Sequence, residues 1–310
     1  MSNSNKITVR KVTIGIDQQG QRVDNYLRKM LPGVPNSLIY KIIRDGQVRV
    51  NSGRIKPLYK LKNRDIVRIP PVSIDLKPQS LSKSLIKNIK KIILYENDDF
   101  MVIDKPAGIA VHSGSKIKND IMSTLRSIEK YKSLSLVHRL DQNTSGCLIL
   151  AKNYQSASGL GKIFQSGMVE KNYLSLLSGS LSGDRVAVEQ PIIRNNDNRS
   201  NSVSISKDGK EAFSYITLIK QYKECCLVDI KIETGRMHQI RVHASSINHS
   251  VCGDTKYGDV DVNKKMRDFG LRRMFLHAKK ISFIYNGKHT IESSTPEDLS
   301  LVIDKLKNQL

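Results

Sequence analysis

The sequence predicts an α+β protein in which a small basic domain precedes a larger one. Short apolar runs bounded by turn residues indicate strands, and apolar residues spaced by three and four positions indicate amphipathic helices. Charge is the third observation: residues 1–70 hold 15 Lys and Arg but only 4 acidic residues, and so carry half of the net charge of +22 of the 310-residue chain. Such an excess favours a polyanionic partner.

The first 70 residues are predicted to form two helices packed on a hairpin. Alternating apolar residues over 7–16 indicate an edge strand. Helix-face spacing over 23–30, and again from Asn36 or Ser37 onward, indicates two amphipathic helices. Residues 48–51 and 66–69 can then pair as strands.

A linker is predicted at residues 71–91, which mix Pro, Ser, Lys and Asp with few apolar positions. It would separate a first domain over 1–70, with its core at about 18–70, from a second domain over 92–310.

The second domain shows strand and helix patterns along its whole length. Residues 178–212 are rich in Ser, Asn, Asp, Gly and Arg, and within them the segment 191–212, PIIRNNDNRSNSVSISKDGKEA, is predicted as loop and hairpin. The predicted strands are residues 92–95, 100–103, 147–151, 168–177, 225–232, 274–278 and 281–285. The predicted helices are residues 116–132, 154–165, 264–273 and a last one that starts at Thr295-Pro296.

The stretch from His138 to Gly146, HRLDQNTSG, is a charged loop between two apolar segments. Flanking strands would fix its backbone, and its turn residues could direct Arg139 and Asp141 into a cleft. A carboxylate in that position can act as nucleophile, base or ligand. The same residues also fit a plain turn in which Asp141 caps the backbone and Arg139 is its ion-pair partner.

No metal or cofactor is expected from the remaining motifs. His238 and His243, in the segment TGRMHQIRVH, have no Cys or carboxylate at ligand spacing, so we expect them to form structural hydrogen bonds. The four cysteines contain no CxxC pair, and no phosphate-binding glycine loop is present. No apolar run approaches the roughly 20 residues that span a bilayer, and Met1–Arg10 lacks a signal-peptide core, so we expect a cytoplasmic protein.

Four separated motifs, in order, resemble those of the RNA pseudouridine synthases that modify ribosomal and transfer RNA. They are LYENDDFMVIDKPAGIAVH (94–112), HRLDQNTSG (138–146), KNY (171–173) and TGRMHQIRVH (234–243). VRVNSGRIKP and DIVRIP resemble the S4-type RNA-binding domain. The resemblance implies an S4-type α/β domain followed by a mixed, mainly antiparallel central sheet flanked by helices.

The resemblance also assigns roles in the active site. Asp141 would be the catalytic carboxylate, and Arg241 would bind it bidentately and keep it ionised. Tyr173 would stack on the target base and is a candidate acceptor of the C5 proton. Ile240 or Val242 would form an apolar pocket wall.

The implied RNA contacts lie mostly in the first domain. Arg139 would enter the RNA where the uridine is flipped out, although a phosphate contact or a salt bridge fits it too. The expected phosphate contacts are Arg44, Arg49, Arg54, Lys56, Lys60 and Arg194.

The implied function is the cofactor-free isomerisation of specific uridines to pseudouridine in large-subunit (23S) ribosomal RNA. The expected partner is that RNA, free or in an early assembly intermediate, and the protein is expected to be a monomer. Two alternatives stay open: the same reaction on another RNA such as transfer RNA, and a non-catalytic RNA-binding assembly factor, which would not need Asp141, Tyr173 and Arg241 together.

Overall fold

The fold was determined from a computed structural model that describes residues 9–31, 34, 36–71, 89–112, 120–195 and 202–308. It confirms the α+β class, because eight α-helices of the described ranges pack around a four-stranded and a ten-stranded sheet. A third, two-stranded sheet forms a separate hairpin.

The four-stranded sheet lies in the N-terminal region and is antiparallel, in the order β1-β4-β2-β3. Its inner face packs on α1 and α2, with Leu27, Ile39 and Val67 fully buried. Of the edge strand predicted over 7–16, the structure forms residues 10–13, while residues 1–8 lie outside the described part. The elements are β1 (Arg10–Thr13), α1 (Val23–Met30), α2 (Asn36–Arg44), β2 (Arg49–Val50), β3 (Gly53–Arg54) and β4 (Ile66–Ile69).

The ten-stranded sheet follows the predicted linker, most of which (72–88) lies outside the described residues. The last residues of the predicted linker, 89–91, instead begin a short helix, α3 (Ile89–Ile92), which buries Ile89 in the core. The sheet and its neighbours continue with β5 (Ile93–Glu96), β6 (Phe100–Lys105), α4 (Ile121–Arg126), β7 (Ser135–Leu136), β8 (Ser145–Ala151), α5 (Tyr154–Gln165), β9 (Glu170–Ser178) and β10 (Arg185–Val188). They end with β11 (Ile192–Arg194), β12 (Val203–Ile205), β13 (Ser214–Gln221), β14 (Cys225–Ile232), α6 (Gln239–Ser246), α7 (Val260–Asp268), β15 (Leu276–Ile284), β16 (Lys288–Glu292) and α8 (Glu297–Lys307).

The strand order of this sheet is β10-β13-β14-β9-β15-β8-β6-β5, with β16 beside β15 and β7 beside β8. All pairs are antiparallel except β8 and β15, so the sheet is mixed and mainly antiparallel, as predicted. At the parallel junction a Cβ on Gly146 (φ 108°) would lie 2.3 Å from the carbonyl oxygen of Ala278. Only glycine allows the two strands to approach so closely. Ser145 Oγ and His277 Nδ1 are 3.0 Å apart at the same junction.

The centre of the sheet is covered on both faces, which explains why β8 is buried at every residue and largely apolar. Along β14, Val228 and Ile230 point to the core that contains α4 and α6, and Leu227 points to the core that contains α7 and α8. The first of these faces also carries Tyr173.

Three predicted elements differ from the observed ones. The helix expected over 264–273 lies at Val260–Asp268, because Asp259 caps it through the N–H groups of residues 261 and 262. The strands expected at 274–278 and 281–285 are one strand, β15, because polar Lys279 and Lys280 lie at a register shift inside it and not at a turn. Of the helix expected over 116–132, residues 113–119 lie outside the described part, and the rest splits into α4 and a 3-10 turn at Glu129–Tyr131.

None of the helices in the described ranges is long and apolar enough to cross a bilayer.

Candidate active site

Asp141 lies in the loop between β7 and β8, and Lys105 holds that loop in place. The Lys105 ammonium donates hydrogen bonds to the carbonyl oxygens of Pro106 (2.8 Å), Ile109 (2.9 Å) and Gln142 (3.1 Å). The Gly108 N–H also donates to the Gln142 carbonyl (2.9 Å). The turn after β6 is therefore bonded directly to the residue that follows Asp141.

Burial lowers the pKa of Lys105 to about 7, although the Asp141 carboxylate acts in the opposite direction. The side chain is fully buried. The positive charge of Lys105 therefore titrates near neutral pH and lies within electrostatic reach of Asp141.

The free energy of unfolding should rise with pH because of Lys105. Its pKa is about 7 when folded and roughly 10.4 when unfolded, so between these values the unfolded chain binds more protons. We expect the free energy of unfolding of wild type, relative to Lys105→Met, to increase over this interval by up to about 1.4 kcal/mol per pH unit. Urea unfolding from pH 6 to 10 measures it, with exposed Lys264→Met as the control. Parallel profiles for all three proteins would show that Lys105 does not titrate in this interval.

His138 fixes the start of the loop. Its Nε2 accepts a hydrogen bond from the Ile149 N–H (3.0 Å), and its ring stacks on Phe164 with centroids 4.5 Å apart. Burial lowers the pKa of His138 to about 3, so the ring is neutral and remains an acceptor. The next residue, Arg139, is left exposed beside the cleft.

Arg241 joins two carboxylates at the base of the cleft. Its Nη1 donates to Asp141 Oδ2 (3.0 Å), while its Nε and Nη2 donate to the two oxygens of Asp254 (2.7 and 2.9 Å). The expected bidentate partner of Arg241 was Asp141, and the structure corrects this: the bidentate pair is with Asp254, and Asp141 receives a single bond. The reason is burial, because the Asp254 side chain is 1% exposed and the Asp141 side chain is 25% exposed.

Asp254 is a site residue that sequence reasoning missed. Burial disfavours its charge, but bonds from Arg241 and from the N–H groups of Lys256 and Tyr257 outweigh that effect and lower its pKa. Burial also opposes the charge of Arg241, yet the two carboxylates raise its pKa overall. The one available signal was the glycine-bracketed segment Gly253–Gly258, which does not by itself reveal its partner.

Tyr173 forms part of the cleft wall and is 8% exposed. Burial, and then the negative charge of Asp141, raise the pKa of its hydroxyl well above the ordinary value. The open cleft has a volume of about 450 Å³. It is lined by Arg139, Leu140, Asp141, Thr144, Tyr173, Ile232, Gly235, Arg236, His238, Gln239, Ile240, Arg241 and Leu276.

His238 and Tyr257 are further polar neighbours of Asp141. Tyr257 Oη accepts from the Val203 N–H (3.1 Å) and lies 2.9 Å from His238 Nδ1, to which it can donate. Burial lowers the pKa of His238, against the charge of Asp141, so the ring is neutral. Its Nε2 lies 3.8 Å from Asp141 Oδ2. Tyr257 thereby connects the β11–β12 hairpin to His238, the neighbour of Asp141.

The other predicted site residues fall into two groups. Ile240 lines the cleft, but Val242 packs in a core with Ile192 and Val203, because residues two apart on α6 point in different directions. The structure thus corrects the placement of Val242 in the pocket wall.

Arg194 is exposed on the hairpin, and the expected phosphate contacts of the first domain are all exposed: Arg44, Arg49, Arg54, Lys56 and Lys60.

His243 is the more deeply buried of the two histidines in the segment TGRMHQIRVH. It forms hydrogen bonds with Ser214 Oγ and with the Gln190 carbonyl, both at 2.9 Å. Within the described part of the chain, no group of three or more His, Cys, Asp or Glu side chains is placed to hold a metal ion.

Comparison with known proteins identifies the family. The profile described as RNA pseudouridylate synthase matches residues 99–246, and that of the S4 domain matches residues 21–67. Ribosomal large subunit pseudouridine synthase C of Haemophilus influenzae is 39% identical over 97% of this chain and 96% of its own length. The protein of that name from Escherichia coli is 38% identical over 97% of this chain and 98% of its own length.

Solved structures agree with these matches. Human RNA pseudouridylate synthase domain containing 1 is 27% identical, with a TM-score of 0.58 over 67% of this chain and 85% of that chain. Human RNA pseudouridylate synthase domain containing 4, 22% identical, shares the fold with a TM-score of 0.61 over 72% of this chain and 96% of that chain. The chain therefore belongs to the RNA pseudouridylate synthase family.

Proposed function

We propose that this protein converts specific uridines of large-subunit (23S) ribosomal RNA to pseudouridine without a cofactor. The observation that carries the proposal is the carboxylate of Asp141, bonded to Arg241 at the base of a cleft that Tyr173 lines. The name of the two bacterial relatives, ribosomal large subunit pseudouridine synthase C, supports the choice of RNA.

The reaction is an isomerisation. The N1–C1′ bond of the uridine breaks, the base turns, a C5–C1′ bond forms, and the proton lost from C5 is balanced by the proton gained at N1. Asp141 acts on the ribose, as nucleophile at C1′ or as base. Arg241 keeps this carboxylate ionised when the substrate excludes water, because desolvation alone favours the neutral acid.

Arg139 would fill the gap that the flipped uridine leaves. It is exposed beside the cleft and two residues from Asp141. Unstacking a base costs a few kcal/mol, and an inserted guanidinium can replace part of the lost stacking and hydrogen bonding.

The environment of Tyr173 favours a role in stacking on the base over a role in proton transfer. A hydroxyl whose pKa is raised by burial and by Asp141 remains protonated at neutral pH and is a poor base. Tyr173→Phe keeps the aromatic face, so we expect single-turnover rates within about 10-fold of wild type. Tyr173→Leu removes a stacking interaction of about 1–3 kcal/mol and should lower kcat/KM by roughly 5- to 150-fold. A loss of three orders of magnitude in the phenylalanine variant would assign proton transfer to the hydroxyl.

The proposal is tested by mapping pseudouridine in cells that lack this protein and that carry either the wild-type gene or the Asp141→Asn variant. We expect particular uridines of large-subunit RNA to lose the modification, and only the wild type to restore it. If transfer RNA alone loses the modification, the reaction stands and the choice of RNA is wrong. If no RNA changes and ribosome assembly suffers equally with both genes, the protein is a binding factor. With a ribosomal substrate we expect the protein to act in the cytoplasm, and we expect it to sediment as a monomer.

A further inference from the structure

The proposed isomerisation includes a proton transfer from C5 to N1 of the uracil. Once C5 has bonded to C1′, this carbon still holds its original hydrogen. That proton must leave so that the C5–C6 double bond forms again, and N1 must gain a proton. Both atoms are bonded to C6, so a single group on that side of the ring can serve them in turn. Asp141 is engaged with the ribose during these steps, and the transfer therefore calls for a second residue.

Most side chains of the cleft cannot accept this proton. The guanidinium groups of Arg139, Arg236 and Arg241 are not deprotonated in proteins. Tyr173 is a poor base, because burial raises the pKa of its hydroxyl. Among the described residues that line the cleft, the remaining side chain with a basic nitrogen is that of His238, which is 15% exposed.

Each ring nitrogen of His238 faces an oxygen. Nδ1 lies 2.9 Å from Tyr257 Oη, and Nε2 lies 3.8 Å from Asp141 Oδ2. Tyr257 Oη can accept from Nδ1 as well as from the Val203 N–H, because a hydroxyl oxygen has two lone pairs. In that tautomer the lone pair of Nε2 points towards the reacting end of the cleft. A protonated ring would donate to Tyr257 through Nδ1 and face the Asp141 carboxylate through Nε2, so the site fits the imidazolium that proton transfer creates.

The backbone of His238 is in an uncommon conformation. This residue directly precedes α6 with φ 53° and ψ 21°, in the left-handed region that residues other than glycine rarely adopt. Its ring meets that of Tyr257 nearly edge to face, with centroids 5.5 Å apart. Backbone strain of this kind clusters at functional sites, where surrounding contacts hold it in place. The strain here is associated with a ring that faces Asp141.

The charge near His238 changes during the reaction in the direction that a base requires. Burial lowers the pKa of the ring most, Arg241 and Lys256 lower it further, and Asp141 and Asp254 raise it. Of these groups, Asp141 is the one that reacts. An Asp141 that has reacted with the ribose is neutral, and it regains its negative charge when C5 bonds to C1′. His238 therefore becomes a stronger base at the step in which C5 must lose its proton.

We propose that His238 is the general base of the reaction, whose Nε2 takes the proton from C5 after the C5–C1′ bond has formed and then returns it to N1. The electron pair of the C5–H bond forms the C5–C6 double bond, and the N1–C6 double bond becomes single as N1 receives the proton. His238 ends as the neutral ring, so no co-reactant is consumed. The inference rests on the proposed function and deepens it, since it names the residue that moves the proton.

The test compares wild type with His238→Asn, with enzyme in excess, on a ribosomal RNA fragment whose target uridine carries either hydrogen or deuterium at C5. Asn tolerates the left-handed backbone but cannot accept a proton. Without a general base we expect the rate to fall by about 10²- to 10⁴-fold. The ratio of the rates on the hydrogen and deuterium substrates should exceed that of wild type, because loss of the C5 proton then limits the rate. The matched control is His249→Asn, a half-buried histidine outside the cleft, which should behave like wild type.

A second variant, Tyr257→Phe, keeps the aromatic ring and removes the hydroxyl that faces Nδ1. Loss of a hydrogen bond to a charged group corresponds to roughly 10- to 150-fold, so this variant should be slow and should also show an increased isotope ratio. The melting temperature of each variant checks that it is folded. If His238→Asn does not fold, the isotope ratio of Tyr257→Phe decides.

Two results would overturn the proposal. One is a His238→Asn rate within about 10-fold of wild type. The other is a slow variant whose isotope ratio does not exceed that of wild type, because His238 then positions Asp141 and does not act at C5. In both cases wild type is active and the proposed function stands. If wild type forms no pseudouridine in any ribosomal RNA fragment, the proposed function fails and the assignment of the base fails with it.

Discussion

Asp141→Asn should reduce the single-turnover rate of pseudouridine formation by roughly 10⁴-fold or more, the scale seen when an enzyme loses its covalent or acid–base centre. The amide has nearly the same shape and can still accept the bond from Arg241 Nη1. Arg241 also keeps both of its bonds to Asp254. The variant should therefore fold and bind RNA like the wild type, so the loss is chemical.

The measurement is the amount of pseudouridine formed on a ribosomal RNA fragment with enzyme in excess, together with the melting temperature and the RNA affinity of each protein. A variant that retains a few per cent of the wild-type rate would show that Asp141 positions the substrate and does not react with it.

Asp254→Asn should have the largest effect on stability. The Asp254 side chain is 1% exposed and forms the bidentate pair with Arg241, so its removal leaves a buried guanidinium with one partner. Breaking such a pair costs about 3–5 kcal/mol. Because the same guanidinium then lacks a support for its position at Asp141, we expect kcat to fall by about 10- to 100-fold at temperatures where the variant is folded.

A surface pair provides the control for this variant. Arg273 binds Asp298 with the same two-bond geometry (2.6 and 3.2 Å), but the Asp298 side chain is 56% exposed. Asp298→Asn should cost less than about 1 kcal/mol. Equal losses for the two variants in urea unfolding would contradict the role of burial.

The effect of Asp254→Asn should depend on pH. The pKa of Asp254 is lowered in the folded chain, so its ion pair contributes fully above the unfolded pKa of about 3.9 and is lost as pH falls below that value. The difference in unfolding free energy between wild type and the variant should be constant near pH 7 and shrink in acid.

Local patterns were sufficient to predict the elements with the strongest periodicity. Strand β14 and helix α5 lie at the predicted residues, because a regular alternation of apolar residues and a regular three-and-four spacing are strong local signals. Strand β15 was split in two because Lys279 and Lys280 resemble a turn. Both are half-buried at a register shift, which no local pattern reveals.

The residues of the candidate site could be predicted from the sequence, but the hydrogen bonds and ion pairs between them could not. Asp141, Tyr173 and Arg241 follow from the motifs, and they do meet at one cleft. The pairing of Arg241 with Asp254 depends on how α6 packs against the loop after it, and Lys105 reaches Gln142 from another strand. Such contacts depend on how separate elements pack together, so composition and motif spacing do not reveal them.

The position of β15 sets the order in which the two main sheets can be completed during synthesis. This strand lies between β8 and β9 in the middle of the large sheet, although it is formed by residues 276–284. The four-stranded sheet, by contrast, is complete at Ile69. A nascent chain can therefore complete the four-stranded sheet long before the Gly146–Ala278 junction next to the Asp141 loop can close. We therefore expect the four-stranded sheet to fold first and the sheet that carries the Asp141 loop to close last.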